Sequence, residues 1–153
     1  MENTKTYRFE ASHILPKHPG KCSRLHGHSW VLKVSVEGDV NPDTGFVMDY
    51  ADISAAVKPL IEKLDHNHLG TWASGPGVVH QRGPHWNPQY AVLHEDFYPS
   101  SENLILWIAE QLDKELEWSK LELQETCTSS CVLTREDYER TVRLRSRNVE
   151  ASK

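Results

Sequence analysis

The apolar residues of this 153-residue chain change their spacing near Tyr50 and change it back near Leu121, an order that few architectures accept. Within residues 5–15, Tyr7, Phe9 and Ala11 alternate with polar neighbours as in a half-buried strand. Residues 29–38 repeat the pattern: Trp30, Leu32, Val34 and Val36 point one way, Val31, Lys33 and Ser35 the other. Asn41–Gly45 is turn chemistry, and Phe46–Met48 reads as a short extended piece. From Tyr50 onward Ile53, Val57, Leu60, Ile61 and Leu64 form one helical stripe, with Asp49 as N-cap and Pro59 expected to kink the helix or remove one of its bonds. A second helix follows Pro99-Ser100-Ser101, with Leu104, Ile108, Leu112 and Leu116 in register. Leu121–Thr126 and Cys131–Thr134 read as two further strands. The order strand, strand, helix, helix, strand, strand predicts an α+β domain, a four-stranded antiparallel sheet with both helices on one face.

One domain is expected to occupy residues 1–134, interrupted at about 70–98 and followed by a charged tail over 135–153. The interruption carries four of the eight glycines, Pro76, Pro84 and Pro88, Trp72, Trp86 and three histidines, the make-up of a functional or mobile loop. The tail is net basic on a chain of net charge −5 and reads as a solvated appendage. An acidic chain repels phosphate backbones, so nucleic acid is not expected as a partner. No run approaches the ~18 apolar residues of a membrane span, and the N-terminus lacks the order of a secretion signal. No membrane partner and a cytoplasmic location are therefore expected. Three cysteines, Cys22, Cys127 and Cys131, do not make a secreted disulfide framework.

The chemistry concentrates in His13 and in Cys22-Ser-Arg-Leu-His26-Gly-His28. Alternate residues of a strand share a face, so His26 and His28 can aim at one point and His13 on the paired strand can supply a third imidazole. Three neutral imidazoles suit Zn2+ and leave one position open, as catalytic sites do. Cys22 reads either as a fourth ligand, which would close the site, or as a thiolate activated beside the metal and Arg24. Asp65-His66 offers a carboxylate and an imidazole that can relay protons, or merely cap the helix before them. Glu125 either faces solvent or accepts two parallel hydrogen bonds from an amino-imino edge. Cys127 and Cys131, and His18, His68, His80, His85 and His94, read as structural or solvent-exposed.

Phe9-x-Ala-x-His13, Cys22-x-x-x-His26-Gly-His28, Gly45-Phe-Val-Met-Asp-Tyr, Leu64-Asp65-His66, Pro99-Ser-Ser-Glu102-Asn and Glu125-Thr-Cys-Thr-Ser-Ser-Cys occur in the order found in the 6-pyruvoyltetrahydropterin synthase superfamily. The resemblance spans residues 5–69 and 97–134. It is closest to the bacterial 6-carboxy-5,6,7,8-tetrahydropterin synthase branch, because three residues separate the cysteine from His-Gly-His where the pyruvoyl-forming enzymes have more.

The resemblance implies a tunnelling fold (T-fold), in which sheets of several copies join into a barrel, trimers stack into a homohexamer and active sites lie between subunits. It implies zinc on His13, His26 and His28, proton transfer by Cys22, Asp65 and His66, and a pterin ring anchored by Glu125 with Ser101 and Glu102 nearby. The implied substrate is 7,8-dihydroneopterin triphosphate and the implied product 6-carboxytetrahydropterin, with acetaldehyde and triphosphate released, in 7-deazapurine (queuosine) biosynthesis. Two alternatives stand beside it. One is pyruvoyl-tetrahydropterin formation or another pterin side-chain cleavage, and the other is a non-catalytic, zinc-stabilised binding module that uses Cys22 as fourth ligand.

Overall fold

The structure, a computed structural model, describes residues 1–70 and 97–151, and the side chains among these up to 147. Strand β1 (Glu2–His13) leads through a single 3₁₀ turn (Lys21–Ser23) into β2 (His26–Glu37). Helix α1 (Tyr50–Leu64) and the short β3 (Asn67–Leu69) follow, then α2 (Ser101–Leu112), β4 (Lys120–Thr126), β5 (Ser129–Thr134) and α3 (Arg135–Ala151).

β1 and β2 pair antiparallel along their whole length, from Glu2 opposite Glu37 to His13 opposite His26. Their shared apolar face is fully buried at Phe9, Trp30, Leu32, Val34 and Val36. The Phe9 and Trp30 rings stack with centroids 6.0 Å apart. α1 covers β1, α2 covers β4 and β5, and the two helices touch on that one face. The α1 stripe Ile53, Val57, Leu60 and Leu64 and the α2 stripe Leu104, Ile105, Ile108 and Leu112 close the core. Asp49 caps α1 by accepting the Ala51 N–H, and Ser100 caps α2 by accepting that of Asn103. Pro59 lies on the exposed side of α1, where water can serve the carbonyl that it leaves without a donor.

Three expectations need correction. The sheet has five strands, in the order β3-β1-β2-β4-β5, and it is mixed, because β3 runs parallel to the end of β1. Three residues are too few to show a period, so this strand leaves no trace in the sequence pattern. The tail beyond 134 forms a third helix that is anchored at its start and solvated along the described residues beyond it: Tyr138 is buried against Trp118, with ring centroids 5.4 Å apart. The Arg135 guanidinium lies 4.2 Å over the Trp118 ring and pairs with Asp113. Phe46–Met48 joins no strand. Apart from Gly70, Phe97 and Tyr98, the expected interruption at 70–98 lies outside the described residues, with His80, His85 and His94 in it. Among the described residues no helix is long and apolar enough to cross a membrane.

Candidate metal centre and active site

The site grows out of the core stripe. The face that carries Tyr7, Phe9 and Ala11 along β1 continues to His13, and the face that carries Trp30 on β2 continues back to His28 and His26. Register puts His13 directly opposite His26 and Ala11 opposite His28, so the three imidazoles meet as the last layer of the core. One nitrogen from each lies within 4.8 Å of the other two. Trp30 floors the group, its ring centroid 5.4 Å from those of both His13 and His28. Gly27 lets the strands close up here, since a Cβ on it would stand 3.2 Å from the Ala11 carbonyl oxygen.

Hydrogen bonds fix which nitrogen of His13 and of His26 is available. His13 Nδ1 donates to the Pro99 carbonyl at 2.8 Å, and His26 Nδ1 donates to the Arg24 carbonyl at 2.7 Å. Each neutral ring then presents a bare Nε2 lone pair, and the two Nε2 atoms face one another at 3.0 Å. His28 Nε2 is buried without a hydrogen bond. Burial pushes the His13 imidazole down to about 4 from an ordinary 6.5, the Pro99 carbonyl opposing and His26 and His28 reinforcing the shift. Burial lowers His28 as well, against the pull of the Glu125 carboxylate. Two lone pairs 3.0 Å apart repel, and burial disfavours a proton on His13 and on His28, so a metal cation is a partner that this donor set fits. Neutral imidazoles oriented by backbone carbonyls are the ligand chemistry of zinc and its neighbours.

Of the remaining candidates, Glu125 touches this centre and His66 shares a cleft with His28. Asp65 ends α1, and its Oδ1 accepts the Glu10 N–H of β1 at 2.7 Å while Oδ2 lies 2.8 Å from His66 Nδ1. Those two bonds, the backbone one first, hold the Asp65 carboxyl below the usual carboxylate range. His66 takes a left-handed backbone (φ 56°), which turns its ring onto Asp65, and its side chain is 79% exposed. The ring is thus turned onto the Asp65 carboxylate and not onto the α1 carbonyls that a helix cap would serve. His66 and His28 line the same cleft, of about 490 Å³. A second cleft, of about 570 Å³, runs from His28 to Glu125.

Glu125 does not face away into solvent: its Oε1 lies 3.3 Å from His13 Nε2 and 3.4 Å from His28 Nε2. Cys22 sits half-buried in the 3₁₀ turn just before β2 as a free thiol. It is not among the mutually close ligand atoms, which are the three histidines alone among the described residues. Ser101 and Glu102 begin α2, and their side chains meet each other at 3.4 Å. Glu102 also adds to the burial that raises the Cys131 thiol. Cys127 and Cys131 are free. His68 is buried and contacts the Ser12 hydroxyl at 3.0 Å through Nδ1. The Pro99 and Arg24 carbonyls that orient the ligands have no signature in sequence, since any residue carries a carbonyl.

The family of 6-pyruvoyl tetrahydropterin synthases matches this chain over residues 2–136. A 6-carboxy-5,6,7,8-tetrahydropterin synthase from Synechocystis is 34% identical over 133 residues, covering 82% of this chain and 87% of its own. One from Haemophilus influenzae is 28% identical over 143 residues, covering 84% and 94%. The solved 6-pyruvoyl tetrahydropterin synthase of Caenorhabditis elegans shares the fold at a TM-score of 0.68, with 20% identity over 88% of this chain and 94% of its own.

Proposed function

Because the chain belongs to the 6-pyruvoyl tetrahydropterin synthase family, we propose that it is a zinc-dependent lyase that converts 7,8-dihydroneopterin triphosphate to 6-carboxy-5,6,7,8-tetrahydropterin, releasing acetaldehyde and triphosphate on the route to 7-deazapurines such as queuosine. The names of the Synechocystis and Haemophilus influenzae relatives support this choice within the family. One observation of this molecule carries it: a buried and a half-buried imidazole, His13 and His26, whose Nδ1 atoms are committed to carbonyls and whose Nε2 lone pairs lie 3.0 Å apart, beside His28, which lines two clefts.

His13, His26 and His28 would hold the zinc, which when bound supplies Lewis-acid polarisation of the substrate side-chain oxygens and eases proton loss from the adjoining carbons. Glu125 offers the ring a two-oxygen acceptor in the second cleft, beside the histidines. Cys22 acts as the base that removes a side-chain proton, being a free thiol on the turn that leads into the ligand strand. Asp65 accepts from His66 Nδ1 and so leaves His66 Nε2 to exchange a proton in the first cleft, on the other side of His28. Once a carbonyl has formed on the side chain, addition of water to it makes cleavage of the neighbouring carbon–carbon bond accessible and supplies the second oxygen of the carboxylate. The absence of Cys22 from the mutually close ligand set favours an open catalytic position over a closed structural one.

The test is to incubate zinc-loaded protein with 7,8-dihydroneopterin triphosphate and identify the products by mass spectrometry. Acetaldehyde in step with 6-carboxytetrahydropterin is expected. Triphosphate release without acetaldehyde would select the pyruvoyl-forming alternative, and no turnover with zinc bound would select the binding module.

A further inference from the structure

Near the end of β4 Glu125 turns a carboxylate oxygen toward the bare acceptor of His13 and toward His28. Its Oε1 lies 3.3 Å from His13 Nε2, whose lone pair is bare because the ring proton is on Nδ1, and 3.4 Å from the buried His28 Nε2. Ligands about 2.0–2.1 Å from a tetrahedral metal stand about 3.3 Å from one another. The carboxylate oxygen therefore keeps ligand spacing to two of the three imidazoles. It falls outside the set whose atoms are all within 4.8 Å, and at 25% side-chain exposure it has room to swing.

We propose that Glu125 is a displaceable fourth ligand of the metal, bound to it while no pterin is present and drawn off by the ring when one arrives. The proposal rests on the pterin reading above and deepens it. The two duties compete, because parallel hydrogen bonds to an amino-imino edge engage both carboxylate oxygens and fix the plane of the carboxylate on the ring. An open coordination position is then created only in a site that already holds a pterin, and the empty enzyme keeps its metal covered.

Cobalt(II) is the probe, since its visible bands report the number and kind of ligands without turnover. Cobalt-loaded wild-type protein and Glu125→Ala are expected to differ in spectrum, and Glu125→Ala should release cobalt to a chelator at least ~10-fold faster. Pterin without a side chain, which offers the ring edge but no hydroxyls for the metal, should move the wild-type spectrum toward that of Glu125→Ala. Glu125→Gln, which keeps shape and fold, should release cobalt at an intermediate rate. Identical spectra and release rates for wild type and both variants would overturn the proposal. Failure of wild-type protein to bind cobalt at all would instead overturn the three-histidine centre beneath it.

Discussion

At His13 the burial that keeps the imidazole neutral also makes the metal-free protein sensitive to acid. The folded group titrates at about 4 and the unfolded one near 6.5, so between those values the unfolded chain takes up a proton that the native site refuses. Stability should be full above about pH 6.5 and fall as pH drops toward 4, by up to ~3 kcal/mol. Urea midpoints of metal-free protein at pH 7 and pH 5 check this, and equal midpoints would mean that His13 is not held neutral. His28→Ala should strip most of the metal and nearly all activity, as elemental analysis would show, and full occupancy in that variant would mean that the ligand set is wrong. The histidine trio was legible because the parity of side chains along two paired strands is a property of the chain itself. The carbonyl of Pro99, 86 positions from His13, was not legible, since it reaches the ring only through the way α2 docks on the sheet.

At the scale of elements, six segments declared themselves by period, and the two that did not had physical reasons. β3 is three residues long and borrows its conformation from pairing with Ala11–His13. α3 offers no apolar stripe, and Tyr138 is its one buried side chain among those described. Its attachment is a local cluster in which the Tyr138 ring packs on Trp118 and Arg145 pairs with Glu110 of α2 at 3.0 Å. That ion pair is exposed and contributes little. Tyr138→Ala should therefore cost about 2–4 kcal/mol by uncovering Trp118, with metal content unchanged. Calorimetry beside metal analysis checks both halves, and a change within ~0.5 kcal/mol would return α3 to the status of a loose tail.

For the molecule as a whole, the open edges matter. Among the described residues β5 has no outer neighbour, and β1 is covered by β3 only at Ala11–His13. Two free edges on opposite sides of one sheet suit edge-to-edge joining of copies into a closed ring. Light scattering should give the mass of a hexamer of the 17.5 kDa chain, and a monomer mass would contradict the expected assembly. On the proposed reading three separate pieces would act together: the end of the β1–β2 core stripe would bind the metal, the end of α1 would supply Asp65 and His66, and the turn before β2 would supply a thiol that does not bind the metal. Zinc content and single-turnover rate measured on one preparation of Cys22→Ala test it most directly. The predicted result is about one zinc per chain retained with turnover lowered at least ~100-fold, as for the loss of a positioned base, and zinc lost in step with activity would contradict it.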